Sequence, residues 1–193
     1  MRMNIEIDRT FDGYYECQLL DEIPNGTGVS YYLPDQPNRV GQDGIILRVS
    51  PKDCPPWIGL FSSVKKYPGT PSMVLFTPDP NAICVICSGD AVITDVTRPD
   101  RSTLLDFEPI TDAVAVKERK MIVFAGFTKL MAFDGSNVAM WETSRIAWDE
   151  LKITSVDALS ISGEYWDVAT EKKAQFKVEL DTGEVNGAID QPF

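Results

Sequence analysis

No histidine occurs in the 193 residues, and that absence removes a good deal of chemistry. Ser-His-Asp and Cys-His catalysis, histidine-ligated zinc and imidazole acid–base catalysis all need a side chain that this chain lacks. The phosphate-cradling G-x-x-x-x-G-K-[ST] loop is missing as well. Gly26-Thr27-Gly28 begins a G-x-G-x-x-G pattern, but Tyr31 stands where the third glycine belongs, so the segment reads as a turn. What remains for an enzyme is carboxylate chemistry or an all-oxygen metal site. No spacing of Asp and Glu singles out a pair. The expectation is a protein without catalytic residues, cofactor or metal.

Positive charge is scarce. Eighteen Lys and Arg stand against twenty-nine Asp and Glu, a net charge of −11. Such a surface repels phosphate, so a broad nucleic-acid-binding face is not expected, whereas a basic protein would be attracted to it. Long apolar runs are also absent, and no stretch is long enough to span a bilayer. The opening Met1-Arg2-Met3-Asn4-Ile5-Glu6 lacks the apolar run of a secretory signal. The expected location is cytoplasmic, where the four cysteines stay reduced.

Cys84 and Cys87 form a C-x-x-C, a spacing that suits zinc or redox chemistry. They lie within Ala82-Ile83-Cys84-Val85-Ile86-Cys87, which reads as a buried strand. Residues three apart on a strand point to opposite faces, and nothing helical follows to lower a thiol pKa. The pair is expected to be structural.

Glycine and proline, at 13 each, leave few stretches for long helices. Residues 1 to about 70 are turn-rich, punctuated by Pro24-Asn25-Gly26, Pro34-Asp35-Gln36-Pro37-Asn38 and Pro55-Pro56, with Gly44 to Val49 a clear short strand. From about residue 72 short apolar runs alternate with Gly, Asp and Pro turns. They are Met73–Phe76, Ile83–Cys87, Ala91–Val96, Val114–Val116, Met121–Ala125, Leu130–Phe133, Val138–Trp141, Leu159–Ser162 and Phe176–Leu180. Gly89, Gly126 and Gly163 follow apolar strands at intervals of 37 residues, close to the size of a four-stranded propeller blade. The predicted fold is all-β: an antiparallel β-meander resembling a partial or small irregular β-propeller, with little helix. Residues 1–193 read as one domain, a turn-rich lobe over 1–70 followed by the meander over 71–193.

Leu130-Met131-Ala132-Phe133-Asp134-Gly135 followed by Val138-Ala139-Met140-Trp141-Glu142-Thr143 resembles a quinoprotein-type propeller strand pair. A longer set includes Pro56-Trp57-Ile58-Gly59, Pro78-Asp79-Pro80, Trp141 to Arg145, Gly163-Glu164-Tyr165-Trp166-Asp167 and Phe176 to Gly183. From about residue 55 to 187 this set is similar to a family of small uncharacterised bacterial proteins with quinoprotein-like β-repeats. The resemblance implies a bacterial, cytosolic, β-rich protein. It implies no activity and no catalytic residue, and the likeness does not extend to the quinone.

Trp141, Trp148 and Trp166 fall in one stretch with Arg145, Asp149 and Tyr165. As a ligand-binding site, the indoles of Trp141, Trp148 and Trp166 would wall a pocket in which Arg145, beside Asp149, meets an anionic group. As packing, Trp141, Trp148 and Trp166 would be a blade core, with Arg145 paired to Asp149 or Glu142. The packing reading is the expected one. Trp57, just after Pro55-Pro56, is a better candidate for exposure than the other tryptophans, but a loop anchor is its expected role. Asp95, Asp134 and Asp181 read as turn residues holding local backbone. Two functions follow. The favoured one is a non-enzymatic binding or protein-interaction module, including an acidic protector against a basic toxin. The alternative is a small-molecule sensor or carboxylate-based enzyme with its pocket near Trp141, Arg145 and Trp166.

Overall fold

A strand whose residues are apolar at every position must be covered on both faces, and one that alternates needs cover on only one. Both kinds occur here, and they set the layers. The computed structural model describes residues 5–26, 30–34, 44–135, 138–148 and 151–186. Gly26-Thr27-Gly28 and the Pro34 to Asn38 turn therefore fall largely outside the described residues, as does Asp149. The chain forms two compact units, residues 1–108 and 109–193.

Among the described residues, the first unit holds nine strands in two sheets. They are β1 (Glu6–Asp8), β2 (Tyr15–Leu20), β3 (Tyr31–Leu33), β4 (Ile45–Pro51), β5 (Trp57–Phe61), β6 (Met73–Phe76), β7 (Ala82–Cys87), β8 (Asp90–Asp95) and β9 (Ser102–Leu104). One sheet runs β1-β6-β7-β8-β9 and the other β2-β4-β5-β3. The meander from β6 to β9 is antiparallel throughout, as the alternation of runs and turns predicts. Two parallel pairs, β1 with β6 and β3 with β5, break that pattern. All six residues of β7 are buried, so the C-x-x-C lies inside the sheet and its thiols are free. Burial pushes the Cys84 thiol up to about 12, the opposite of an activated cysteine. Between β7 and β8, Ser88 and Gly89 take φ of 47° and 87°, the two positive values of a tight two-residue hairpin.

Polar anchors join the two sheets of this unit. The Tyr15 hydroxyl on β2 donates to the Ala82 carbonyl on β7 at 3.1 Å, and its ring stacks on Phe76 at 4.6 Å. The Trp57 indole N–H donates to the Val96 carbonyl at 2.9 Å; the residue is only 6% exposed and is an anchor rather than a surface side chain. Asp90, at the start of β8, is buried. Its Oδ2 accepts the Ser63 hydroxyl at 2.8 Å and the Val64 and Lys65 amides at 2.5 and 3.2 Å. A buried carboxylate is tolerated when such donors surround it.

Among the described residues, the second unit has eight strands and one 3-10 turn over Lys117–Arg119. One sheet is β10 (Asp112–Val116), β11 (Met121–Ala125), β12 (Leu130–Phe133) and β13 (Ala139–Glu142). The other is β14 (Lys152–Val156), β15 (Ser160–Asp167), β16 (Lys172–Glu179) and β17 (Val185–Asn186). Both are antiparallel and paired in chain order. Val123, Ala125, Leu130 and Ala132 of the first sheet share one core with Ile161, Tyr165, Phe176 and Val178 of the second. Trp141 on β13 packs against that core, and its indole N–H donates to the Leu180 carbonyl at 2.7 Å.

The strands and the glycines recur at different spacings. The strands β6, β10 and β14 begin at residues 73, 112 and 152, and β7, β11 and β15 at 82, 121 and 160, spacings of 39 or 40 residues. Gly89 and Gly126 follow β7 and β11, as expected, but Gly163 lies inside β15, opposite Phe176. A Cβ there would come within 2.2 Å of the Phe176 ring and 2.4 Å of the Lys152 carbonyl, so the glycine makes room for packing.

Asp90→Ala is expected to cost about 3 kcal/mol, because it leaves the Ser63 hydroxyl and two loop amides without their acceptor. Asp90→Asn, which keeps one carbonyl oxygen, should cost less. Guanidinium titration of both variants measures this, and equal small losses would show that the loop does not depend on Asp90.

Candidate functional site

The alternation of β15 decides which side chains reach water. Ile161, Gly163 and Tyr165 face the core, and Tyr165 is only 3% exposed. Glu164 and Trp166 therefore take the other face. Trp166 is 40% exposed, which overturns the expectation that it is core. Pairing adds neighbours on the same face. Lys152 on β14 lies opposite Glu164, and Lys173 on β16 lies opposite Trp166.

This polar face forms one side of a cleft of about 410 Å³. Thr111 and Asp112, at the start of β10, form another side, and Leu151 and Tyr165 contribute apolar surface. Both sheets of the second unit thus build it. The Lys173 ammonium pairs with Glu164 Oε1 at 2.5 Å, and this contact holds the Glu164 carboxyl below its ordinary value. Asp112 behaves in the opposite way. Burial pushes its carboxyl up, against the Ala113 amide that donates to it at 2.9 Å and the nearby charge of Lys152. The cleft therefore carries two carboxyl groups shifted in opposite directions, with two ammonium groups between and beside them.

Of the five residues that the sequence grouped, the four that are described fall in different settings. Trp166 lines the cleft. Trp141 is half-buried, held by Leu180 and lying over Gly183, where a Cβ would come within 2.8 Å of its ring. Arg145 and Trp148 stay together: the guanidinium carbon sits 4.4 Å from the indole centroid, a cation–π contact. Trp148 is 37% exposed, so it too departs from the expected core. Glu142, one of the two partners expected for Arg145, pairs instead with Lys129, and Asp149 lies outside the described residues. Sequence reasoning missed Asp112, Lys152, Glu164 and Lys173 as neighbours. The spacing of Glu164 and Trp166, two apart in a strand beside Gly163, was the only local signal that they share a face.

Among the described residues, no group of three His, Cys, Asp or Glu side chains converges as a metal site would need. No helix among them is long and apolar enough to cross a membrane. No family model matches the chain, and no curated protein matches it.

The two placements of tryptophan predict different costs. Trp141→Ala loses core contacts and a hydrogen bond, and is expected to cost about 2–3 kcal/mol. Trp166→Ala removes an exposed ring and should change stability by less than about 0.5 kcal/mol. Urea unfolding of each variant checks this, and equal costs would contradict the assignment.

Proposed function

We propose that this protein is a non-enzymatic binding module whose ligand site is the cleft of the second unit. The observation that supports it most is the exposed Trp166 indole on a polar and charged face, at the wall of a cleft. Small-ligand sites combine an apolar surface with a few converging polar groups in volumes of about 300–1,000 Å³. The raised Asp112 carboxyl is a second support, since perturbed carboxyl groups in clefts cluster at functional sites. For the remaining surface, the net charge of −11 supports a basic protein as a partner.

A second reading, carboxylate-based catalysis in the same cleft, draws on the opposite shifts of Asp112 and Glu164. Turnover that Asp112→Asn abolishes while binding persists would favour it over simple binding.

The test is ligand-observed NMR of the full chain against a library of small polar fragments, with amide shifts mapped onto the structure. Bound fragments should perturb Asp112, Lys152 and Trp166, and Asp112→Asn should weaken them without loss of fold. The sign of the stability change follows from the shift. A carboxyl raised by burial binds more protons folded than unfolded, so stability falls as pH rises from the ordinary carboxylate value through the raised one. Asp112→Asn should therefore be at least as stable as the natural chain at neutral pH. Fragments that perturb only residues elsewhere would overturn the site.

A further inference from the structure

We infer that the cleft takes a neutral polyhydroxylated ring, a saccharide, an inference that rests on the binding reading above. The charges around Trp166 are already compensated within the protein. Lys173 pairs with Glu164 at 2.5 Å. Lys152 lies opposite Glu164 in the β14–β15 register and within electrostatic reach of both Glu164 and Asp112. Two ammonium groups and two carboxyl groups leave the lining with no net charge, in a chain whose total is −11. A ligand with a net charge therefore finds no uncompensated opposite charge in this lining, whereas a neutral polar one needs none.

The groups that remain fit a sugar in particular. Each sugar hydroxyl both donates and accepts, so a carboxylate and an ammonium group can be satisfied together. One face of a pyranose ring presents only C–H groups, and the Trp166 indole offers a flat apolar surface of matching extent. An exposed indole beside charged side chains gains by being covered, because covering it removes apolar area from water. A simple hydrocarbon would cover the ring but strip water from Asp112, Lys152 and Glu164 without replacing its hydrogen bonds. A polyol replaces them.

The experiment is calorimetry and saturation-transfer NMR on the full chain. The probes are glucose, galactose, mannose, N-acetylglucosamine, maltose, cellobiose and lactose. Phenylalanine and inorganic phosphate serve as zwitterionic and anionic alternatives. At least one sugar is expected to bind, with an affinity that changes less than about twofold between low and high salt, because screening acts on charged ligands and not on neutral ones. Trp166→Ala should weaken binding at least about tenfold, Trp166→Tyr should restore most of it, and Trp148→Ala should leave it unchanged. If phenylalanine or phosphate binds at Trp166 and no sugar does, the saccharide assignment is wrong while the binding site stands. If none of these probes nor any fragment perturbs Trp166, both fall. Sugar binding that survives Trp166→Ala undiminished would also overturn the inference.

Discussion

The second unit depends on one constraint: its two sheets must share a core. A four-stranded sheet with one apolar face is not stable until that face is covered. Val123, Ala125, Leu130 and Ala132 supply one side, and Ile161, Tyr165, Phe176 and Val178 the other. Gly163 is the concession that lets the Phe176 ring lie over β15, and the Trp141 indole ties β13 to the Leu180 carbonyl. Once Ile161 and Tyr165 are fixed inward, the two-residue period of a strand leaves Glu164 and Trp166 no choice but the outer face. The cleft follows from the same parity that makes the core. A one-residue slip of β15 would bury Trp166 and Glu164 and expose Tyr165, losing core and site together.

The first unit solves a similar problem with polar anchors. Its two sheets are joined by hydrogen bonds from buried aromatic side chains to carbonyls, Tyr15 to Ala82 and Trp57 to Val96. Asp90 gathers three donors from the loop after β5, and its Oδ1 and the Thr94 hydroxyl are buried without a hydrogen-bond partner among the described residues. The matched groups raise the penalty for any alternative packing, because burying them without a partner is costly, whereas Asp90 Oδ1 and the Thr94 hydroxyl carry that cost in this fold. The matched groups help to specify the arrangement of this unit.

Much of the fold was legible because the strands that form the core are apolar enough to show. Met121–Ala125 and Leu130–Phe133 match β11 and β12 to the residue. The Ser88-Gly89 turn was marked by composition. β14 was not legible: Lys152-Ile153-Thr154-Ser155-Val156 is largely exposed, and a bulge between Ile153 and Ser155 breaks its alternation. The parallel pairings of β1 and β3 were hidden as well, since three-residue strands carry too little pattern to name a distant partner. Gly163 looked like a turn because glycine usually marks one, and only the position of Phe176 reveals its packing role. The candidate site suffered most. Asp112, Lys152 and Glu164 are far apart in sequence and meet only through the β14–β15 register and the placing of β10. The dense tryptophan stretch drew the grouping toward Trp141 and Arg145, although neighbours in sequence point to different places on a sheet.

The shared core makes a claim about cooperativity that native-state hydrogen exchange can test directly. Val178→Ala on β16 removes two methyl groups from the cluster that both sheets use. If the two sheets form one cooperative core, the slowest amides of β11 and β12 should lose protection by the same free energy as those of β15 and β16. Loss of protection confined to β15 and β16, with β11 and β12 unchanged, would contradict the shared core and the placement of the cleft that rests on it.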